Sequence, residues 1–502
     1  MENTSKHCLI TGKAGTGKST LLSLFRDKTK KKIAVLAPTG VAAVNIAGQT
    51  IHSFFGFRPD ITVEGAAKKA GSRRKRKDIE LYEKLDAIVV DEISMVRSDL
   101  FHCMDTFLRV ARGKRQIPFG GVQMIFFGDL YQLPPVVRSQ ERAVFSSVYP
   151  GVYFFDAPVL QEIKIEMVEL EKVYRQKDAE FIRLLNAVRN NTVTSEDLAL
   201  FNRRCIPDFS SDGKLHITLT TTNDMARQIN EKKLVSLSGA SRIYRADVSG
   251  KFDASSFPTE EVLNLKVDAQ VMLLNNDPAK RWINGTMGKI TALKRDSVSV
   301  QLDDGIEWEV EPHEWDLFRY EFDAKGAGGL LTVPEGSFTQ VPLRLAWGVT
   351  IHKSQGKTFD RVIVDLGNGA FATGQTYVAL SRCRTLEGLV LRRPLQKSHV
   401  RVDYRIMTFL TGHQYAESES VMPLTAKQTF LEEAIQDCAS LEMVYLKQQD
   451  VKSRRRIRPL EIGDMEYAGK IFPGLRAFCE ERGEERTFRV DRILELKRVG
   501  GI

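Results

Sequence analysis

Gly12-Lys-Ala-Gly-Thr-Gly17-Lys18-Ser19 fits the pattern G-x-x-x-x-G-K-[ST], and its reading decides the fold. The apolar run Cys8-Leu9-Ile10 just before it reads as a strand, and the spacing over 19–25 just after it is helical. Between such a strand and helix, glycines let backbone N–H groups curl around β- and γ-phosphates. The positive end of the helix points at the same place. On this reading Lys18 neutralises phosphate oxygens and Ser19 is a ligand for Mg²⁺. Working outward, Ile33-Ala-Val-Leu-Ala37, Ala87-Ile-Val-Val90 and Met124-Ile-Phe-Phe127 are further short apolar runs separated by helical stretches. They read as buried parallel strands, so residues 1–165 form one doubly wound α/β domain.

The rest of the 502 residues divides by pattern. Helical spacing covers 180–189, a strand is expected over 216–221 and a helix over 226–237. From about Val262 apolar and polar residues alternate, with turns at Asn284-Gly285 and Asp303-Asp304-Gly305, which reads as a β-rich insertion. The α/β character returns near Leu345, and Arg361-Val-Ile-Val-Asp365 is another buried strand. The polar stretch from 411 reads as a linker, and the tail from 440 as a small arginine-rich β module. Hydrophobic content of 42% and charged content of 27% exclude a disordered or fibrous chain. No apolar run is long enough for a membrane span, and the polar N-terminus predicts no secretory leader. The six cysteines are scattered without a C-x-x-C pair, which suits a reducing cytoplasm and argues against zinc. A net charge of +9 permits a polyanionic partner and equally fits a soluble basic surface.

Ala87-Ile-Val-Val-Asp91-Glu92 ends a buried strand in two carboxylates. Asp91 is placed to hold Mg²⁺ through water and Glu92 to activate the attacking water. Phosphoryl transfer also needs a γ-phosphate sensor and cationic charge at the transition state. Gln132, in Gly128-Asp129-Leu-Tyr-Gln132-Leu-Pro-Pro135, is the sensor candidate, and also fits a plain turn glutamine. Arg175, in Tyr174-Arg175-Gln176, and Arg382, in Ala379-Leu-Ser-Arg382, are arginine-finger candidates that singly also fit surface ion pairs. Thr39, His52 and Ser53 offer hydrogen-bond groups beside Phe54, Phe55 and Phe57, whose rings are either base platforms or core. The run 68–77, with Lys68, Lys69, Arg73, Arg74, Lys75, Arg76 and Lys77, is either a solvated face or a phosphate contact.

These blocks together resemble the Pif family of superfamily 1 DNA helicases, relatives of the RecD helicases. Besides those quoted, the resemblance rests on Ala37-Pro-Thr39-Gly40-Val-Ala-Ala43, Thr50-Ile-His52-Ser53-Phe54, Asp91-Glu-Ile-Ser-Met95, Val173-Tyr-Arg-Gln176 and Thr221-Thr-Asn223. Trp282-Ile-Asn-Gly-Thr286, residues 346–356 and residues 375–384 complete it, and residues 96–118 look like the segment that separates Pif enzymes from RecD relatives. The resemblance implies two RecA-like P-loop domains: 1A over 1–165, with a small 1B element near 57–80, and 2A over 166–264 and 341–410. An SH3-like 2B insertion would occupy 265–340 and a linker or helix 411–439. It implies ATP and Mg²⁺ as cofactors, with Gly12, Gly15, Thr16, Gly17, Lys18, Ser19, Thr20, Gln355 and Gly356 at the nucleotide. Lys18, Glu92, Gln132, Arg175 and Arg382 would be the hydrolytic set, and Ser19 and Asp91 the metal ligands. Thr39, Gly40, His52, Ser53, Phe54, Pro134, Asn223, Thr350, His352 and Lys353 would face DNA. The partners implied are single-stranded DNA and forked or tailed duplex, with 5′-to-3′ movement. Family members carry an adenine-recognising glutamine upstream of the P-loop; residues 1–11 contain none, which leaves base selectivity open.

Residues 440–502 resemble a WYL domain, a small SH3/Sm-like β-barrel found in bacterial regulators. The matching stretches are Val444-Tyr445, Ser453-Arg-Arg-Arg-Ile-Arg-Pro459, Arg476-Ala-Phe-Cys479 and Arg486-Thr-Phe-Arg-Val-Asp-Arg-Ile493. The name-giving Trp-Tyr-Leu aligns with Pro473-Gly474-Leu475, so two signature side chains are absent. Arg454, Arg456, Arg486, Arg489 and Arg492 are candidates for a phosphate-backbone patch, or for ion pairs on a structural barrel. The whole reads as an ATP-dependent helicase whose tail tunes the motor. A translocase that strips protein or RNA from DNA, and a ligand-regulated nucleic-acid sensor, remain alternatives. The expected setting is a bacterial cytoplasm in association with the nucleoid. A monomer is the default, and no protein partner is legible.

Overall fold

The computed structural model describes residues 1–72, 76–137, 141–210, 213–322, 330–367, 369–370, 372–447, 449–467 and 469–499. The chain forms two compact units, Met1–Arg189 with Val193–Arg401, and Asn190–Thr192 with Val402–Ile502.

The first unit begins with β1 (His7–Gly12), β2 (Ile33–Ala37), β3 (Gln49–Thr50), β4 (Ala87–Val90), β5 (Gln123–Phe127) and β6 (Ile165–Leu170). They make one parallel sheet in the order β3-β2-β4-β5-β1-β6. Cys8, Ile10, Val35, Val89, Ile125 and Phe127 share one core with Leu22 and Phe25. Those last two sit one turn apart on α1 (Lys18–Lys28), the spacing that puts both on its sheet-facing side. Placing β1 inside the sheet with its C-terminal end at the glycine loop is what aims α1's N-terminus across the sheet edge. Strand β6 runs beside β1 in full register, from His7 opposite Ile165 to Gly12 opposite Leu170. The expected boundary at 165 is therefore too early. Its apolar residues are thinned by Glu166 and Glu169, as suits an edge strand, and this hid it.

A second parallel sheet has the order Gly348–Thr350, Ile217–Thr220, Val362–Asp365, Leu389–Leu391. Between its parts lies antiparallel structure. One five-stranded sheet runs Glu307–Val310, Val298–Leu302, Met287–Leu293, Gln270–Leu273, Leu343–Leu345. A hairpin of His313–Phe322 and Leu330–Gln340 pairs with Asp247–Gly250, and Arg242–Arg245 pairs with Val262–Leu265. The β insertion thus spans 242–345 and not 265–340. The strands at 242–250 are exposed on nearly every residue, so they carry no apolar alternation to read.

In the expected 1B region two helices are present, Val63–Gly71 and Arg76–Lys84. Arg73, Arg74 and Lys75 of the basic run lie outside the described residues, as do the side chains of Arg76 and Lys77.

The second unit corrects two expectations. The stretch read as a linker is helical, Tyr404–Val421 followed by Leu424–Gln436, and the unit starts at 402 where 2A was expected to run to 410. The first helix buries Thr411, Gln414 and Ser418 along with Ile406, Met407 and Leu410, so half its buried stripe is polar. Ser418 Oγ satisfies itself on the carbonyls of Ile493 (3.1 Å) and Leu494 (2.8 Å). The five strands Glu484–Arg489, Lys470–Cys479, Val451–Tyr467, Leu441–Lys447 and Ile493–Arg498 pair antiparallel in that order. Among the described residues the outer two are not paired with each other. Leu431 and Ala434 of the second helix lie in the core of this antiparallel sheet.

Candidate functional site

The glycine loop takes a shape only glycine holds easily. Gly12, Gly15 and Gly17 have φ of 149°, 78° and 87°. A Cβ on Gly15 would lie 2.3 Å from Arg175 Cβ, so the loop is pressed against the 173–176 segment. Tyr174 N–H donates to Gly15 O at 2.8 Å, and Thr16 Oγ1 donates to Lys13 O at 2.9 Å. Lys18 Nζ spans the loop, donating to the carbonyls of Gly12 (2.7 Å) and Lys13 (2.9 Å). Ser19 and Thr20 are exposed at the first turn of α1.

Asp91 and Glu92 follow β4, and Glu92 adopts φ 50°, a left-handed backbone that turns it away from the strand. Gln355 Nε2 donates to Glu92 Oε2 and to Gln132 Oε1, both at 3.1 Å. Gln132 Nε2 in turn donates to Asp129 Oδ2 at 3.3 Å. One amide from the turn that follows the strand Gly348–Thr350 thus touches two of the predicted site residues, Glu92 and Gln132. Arg175 reaches the carbonyls of Ser381 and Gly356, each at 3.4 Å, and Gln176 Nε2 donates to the carbonyls of Ser381 (3.1 Å) and Cys383 (3.0 Å). Arg382 is 1% exposed and donates to Val378 O, Lys357 O and Ser381 Oγ at 3.0–3.2 Å.

Charge in this cleft is poorly solvated. Desolvation, reinforced by Asp91, pushes the Glu92 carboxyl up to about 7, against the pull of Lys18 and Arg382. Desolvation also raises Asp91 and lowers Lys18, which Asp129 and Glu92 partly restore. Burial and the neighbouring Arg175 bring Arg382 down to about 9. The donor set available to a metal is the Ser19 hydroxyl and the Asp91 carboxylate. These are hard oxygen ligands, few in number, and they fit Mg²⁺, which keeps waters and shares substrate phosphates.

Three participants escaped the sequence reading. Tyr377 hydroxyl accepts from Ala14 N–H at 2.9 Å. Asp129 is fully buried and paired with Arg189 at 3.4 Å, whose guanidinium lies 4.0 Å from the Tyr131 ring centre. A tyrosine in an apolar helix reads as core, and an arginine at a helix end reads as surface, so neither gave a signal.

The expected DNA-facing residues separate into two groups. Thr39 is exposed and caps the helix Gly40–Asn45, accepting from Ala42 N–H; Gly40 sits against Ser256, whose Oγ would be 2.1 Å from an added Cβ. Ser53, Asn223 and Lys353 are exposed, while His52, Pro134 and His352 are half-buried. Phe54 is not an available platform. It is 5% exposed and packs edge-on against Phe55, Tyr82 and Tyr320, at 4.9, 5.4 and 5.9 Å. Phe55 and Phe57 are buried in the same aromatic cluster. Thr350 is also buried, its hydroxyl accepting from Lys353 N–H at 3.4 Å, so it shapes the loop from within.

In the C-terminal sheet the predicted arginine patch is not a single surface. Alternation along Val451–Tyr467 turns Arg454 and Arg456 outward and Arg455 inward, 9% exposed. Arg456 pairs with Glu442 (3.5 Å), Arg486 with Glu484 (3.0 Å) and Arg489 with Asp491 (2.6 Å); Arg492 is half-buried. A cavity of about 440 Å³ opens where Tyr445, Lys447, Arg455, Arg486 and Phe488 converge. Desolvation and the crowding of Arg455, Arg486 and Arg482 lower the Lys447 ammonium. Of the expected arginines, Arg486 alone lines this cavity; Arg455 and Lys447 were not anticipated.

A family model described as PIF1-like helicase matches residues 1–198, and one described as WYL domain matches residues 429–498. The ATP-dependent DNA helicase Pif1 of Bdellovibrio bacteriovorus is 33% identical over 395 residues, covering 77% of this chain and 84% of that protein. The chain belongs to the PIF1-like helicases. Within that family, the structure of Pif1 from Bacteroides sp in complex with ADP-AlF4 is similar with a TM-score of 0.74 and 38% identity, over 82% of this chain and 94% of the other. A structure of Bacteroides Pif1 bound to ssDNA gives a TM-score of 0.58 and 39% identity, over 80% of this chain and 92% of that one. Against the ATP-dependent DNA helicase PIF1 of Danio rerio, identity is 36% over 400 residues, 76% of this chain. The chain spans about three fifths of the length of that curated relative, which it covers to 58%. Among the described residues no helix is long and apolar enough to cross a membrane.

Proposed function

We propose that this PIF1-like helicase is an ATP-dependent DNA helicase that moves 5′-to-3′ along single-stranded DNA and opens tailed or forked duplex. The observation that carries the reading is the Gln355 amide bonded to both Glu92 and Gln132, with the charges of Arg175 and Arg382 both close to Glu92. Gly12, Gly15, Thr16, Gly17 and Lys18 cradle the phosphates, with Thr20 behind them and Gly356 opposite. Ser19 and Asp91 would hold Mg²⁺, which supplies charge neutralisation at the β- and γ-phosphates. Glu92 orients and deprotonates the attacking water. Gln132 and Gln355 register the terminal phosphate, and Arg175 and Arg382 stabilise charge developing on it. Closing and reopening the cleft moves the two parallel sheets against each other, and alternating grip through Thr39, His52, Ser53, Pro134, Asn223, His352 and Lys353 advances the strand. The different similarity to the ADP-AlF4 and ssDNA-bound relatives fits a motor whose parts shift when a strand enters.

The C-terminal unit, in the same proposal, binds single-stranded nucleic acid and tunes the motor. Its cavity sets Lys447, Arg455 and Arg486 beside Tyr445 and Phe488, cations and rings of the kind single strands use, with Glu484 and Glu485 on the same wall and Arg486 paired to Glu484. The decisive experiment is ATP-driven unwinding of matched duplexes with a 5′ or a 3′ single-stranded tail, with Lys18→Ala and Glu92→Gln in parallel. The expected result is opening of the 5′-tailed duplex alone and at least about a hundredfold loss in both variants. Opening of the 3′-tailed duplex instead would reverse the polarity. Strand-stimulated hydrolysis without opening of either would make the chain a translocase.

A further inference from the structure

Tyr377 lies on the helix Gln375–Leu380, five residues ahead of Arg382, and its side chain crosses the cleft to the glycine loop. It is 4% exposed. The approach is made possible by Gly374, in the left-handed conformation at φ 73°. A Cβ there would lie 2.2 Å from Gln132 O and 2.5 Å from Tyr131 O, so the helix start abuts the Tyr131-Gln132 backbone directly. The phenol oxygen accepts from Ala14 N–H, the amide that precedes the glycine, threonine and lysine amides of the cradle.

A tyrosine hydroxyl both accepts and donates. Here the accepting half is used and, among the described residues, no group receives the proton. Burial and the nearby Asp129 carboxylate hold that proton on, well above the usual phenol range, while Arg189 and Arg382 act the other way. The hydroxyl therefore stays a donor at any working pH. A buried donor without an acceptor costs free energy comparable to a lost hydrogen bond, a cost removed when a water or a ligand atom accepts from it. The ligand atom is narrowed by position. The cradle amides of 15–19 and Lys18 line the loop itself, whereas Tyr377 comes from the helix that leads into Arg382, and both Arg382 and Arg175 lie near its phenol and near Glu92.

We propose that the Tyr377 hydroxyl is a further nucleotide-contacting group, which accepts from Ala14 N–H and donates its own proton to a γ-phosphate oxygen. Tyr377 then lets the second sheet distinguish a bound triphosphate from a diphosphate. The terminal phosphate thereby joins the bridge that Ala14 N–H already makes between the glycine loop and the helix leading into Arg382. This rests on the nucleotide reading of the cleft.

The test is equilibrium binding, without DNA and with Mg²⁺, of a fluorescent ADP and of the non-hydrolysable adenylyl imidodiphosphate to the full chain and to Tyr377→Phe. The ring is kept, so the packing is kept, and the ADP arm reports whether the loop still folds. The expected result is about tenfold weaker binding of the imidodiphosphate, the size of one hydrogen bond to a charged acceptor, with ADP changed less than about twofold. Equal weakening of both ligands would make Tyr377 a loop-shaping residue, and unchanged binding of both would remove it from the site; either overturns the proposal while leaving the nucleotide reading intact. Failure of the unsubstituted chain to bind either ligand would overturn that reading as well.

Discussion

In the cleft beside the glycine loop, Arg382 is sealed from solvent and its guanidinium is held by two carbonyls and a hydroxyl. In the C-terminal sheet, Arg456, Arg486 and Arg489 lie at or near the surface, each beside a carboxylate. Both regions are rich in cations, but only one has fixed them. Where water is excluded, a preoriented charge acts at low effective dielectric and needs no reorganisation when charge develops nearby. Where water is present, an ion pair contributes about 0–1 kcal/mol and its members remain free to be drawn to a polyanion. The inward Arg455, with Lys447, stands between these cases: partly desolvated, crowded by other cations, and opening on a cavity. Proximity of arginines in the sequence therefore says little until burial is known.

The strongest way to break this contrast is Arg382→Ala. The expected outcome is a loss of about 10³–10⁵ in strand-stimulated hydrolysis, the range of an arginine finger, read by steady-state turnover with thermal melting as a control. A loss below about tenfold with an unchanged melting curve would mean that Arg382 only braces the cleft. Next in size is Phe54→Ala. A ring packed among Phe55, Tyr82 and Tyr320 predicts about 3–5 kcal/mol of lost stability by denaturant unfolding, with single-strand affinity at matched folded fraction unchanged. The reverse pattern, weaker strand binding without lost stability, would make it a stacking platform after all. The smallest effect sharpens the comparison within the C-terminal sheet. Replacing Lys447 and Arg455 by glutamine should flatten the log–log salt dependence of single-strand binding by about 0.7 for each phosphate no longer neutralised. Replacing Arg454 and Arg456 should flatten it less. Equal slopes would mean that the outer face and the cavity serve the strand alike.

Much of the cleft's backbone was legible because its pattern is local. A glycine loop between strand and helix, and a carboxylate pair at a strand end, are dictated by residues that stay neighbours in space. The DNA side was legible only as boxes. Phe54 lies in one of them, yet its ring is claimed by Tyr82 and by Tyr320 from a distant hairpin, neighbours that no local pattern announces. The apolar pattern of Tyr404–Val421 left linker and helix both open, because tertiary hydrogen bonds satisfy its buried Ser418 and its inner stripe need not be apolar.

What the sequence alone determined is the strand, glycine loop and helix of the first sheet, the carboxylate pair at a strand end, and the alternation that makes the tail a sheet. Those follow from backbone freedom, strand period and helix period, which act over a few residues. The tertiary structure decided which side of each strand faces inward, placing Arg455 inside and Arg454 and Arg456 outside. It also decided which distant groups complete the site: Gln355 on Glu92 and Gln132, Arg189 on Asp129, and Tyr377 on Ala14. These partners come from opposite sides of a cleft, and only the packing of two separately formed sheets brings their polar atoms within hydrogen-bond range.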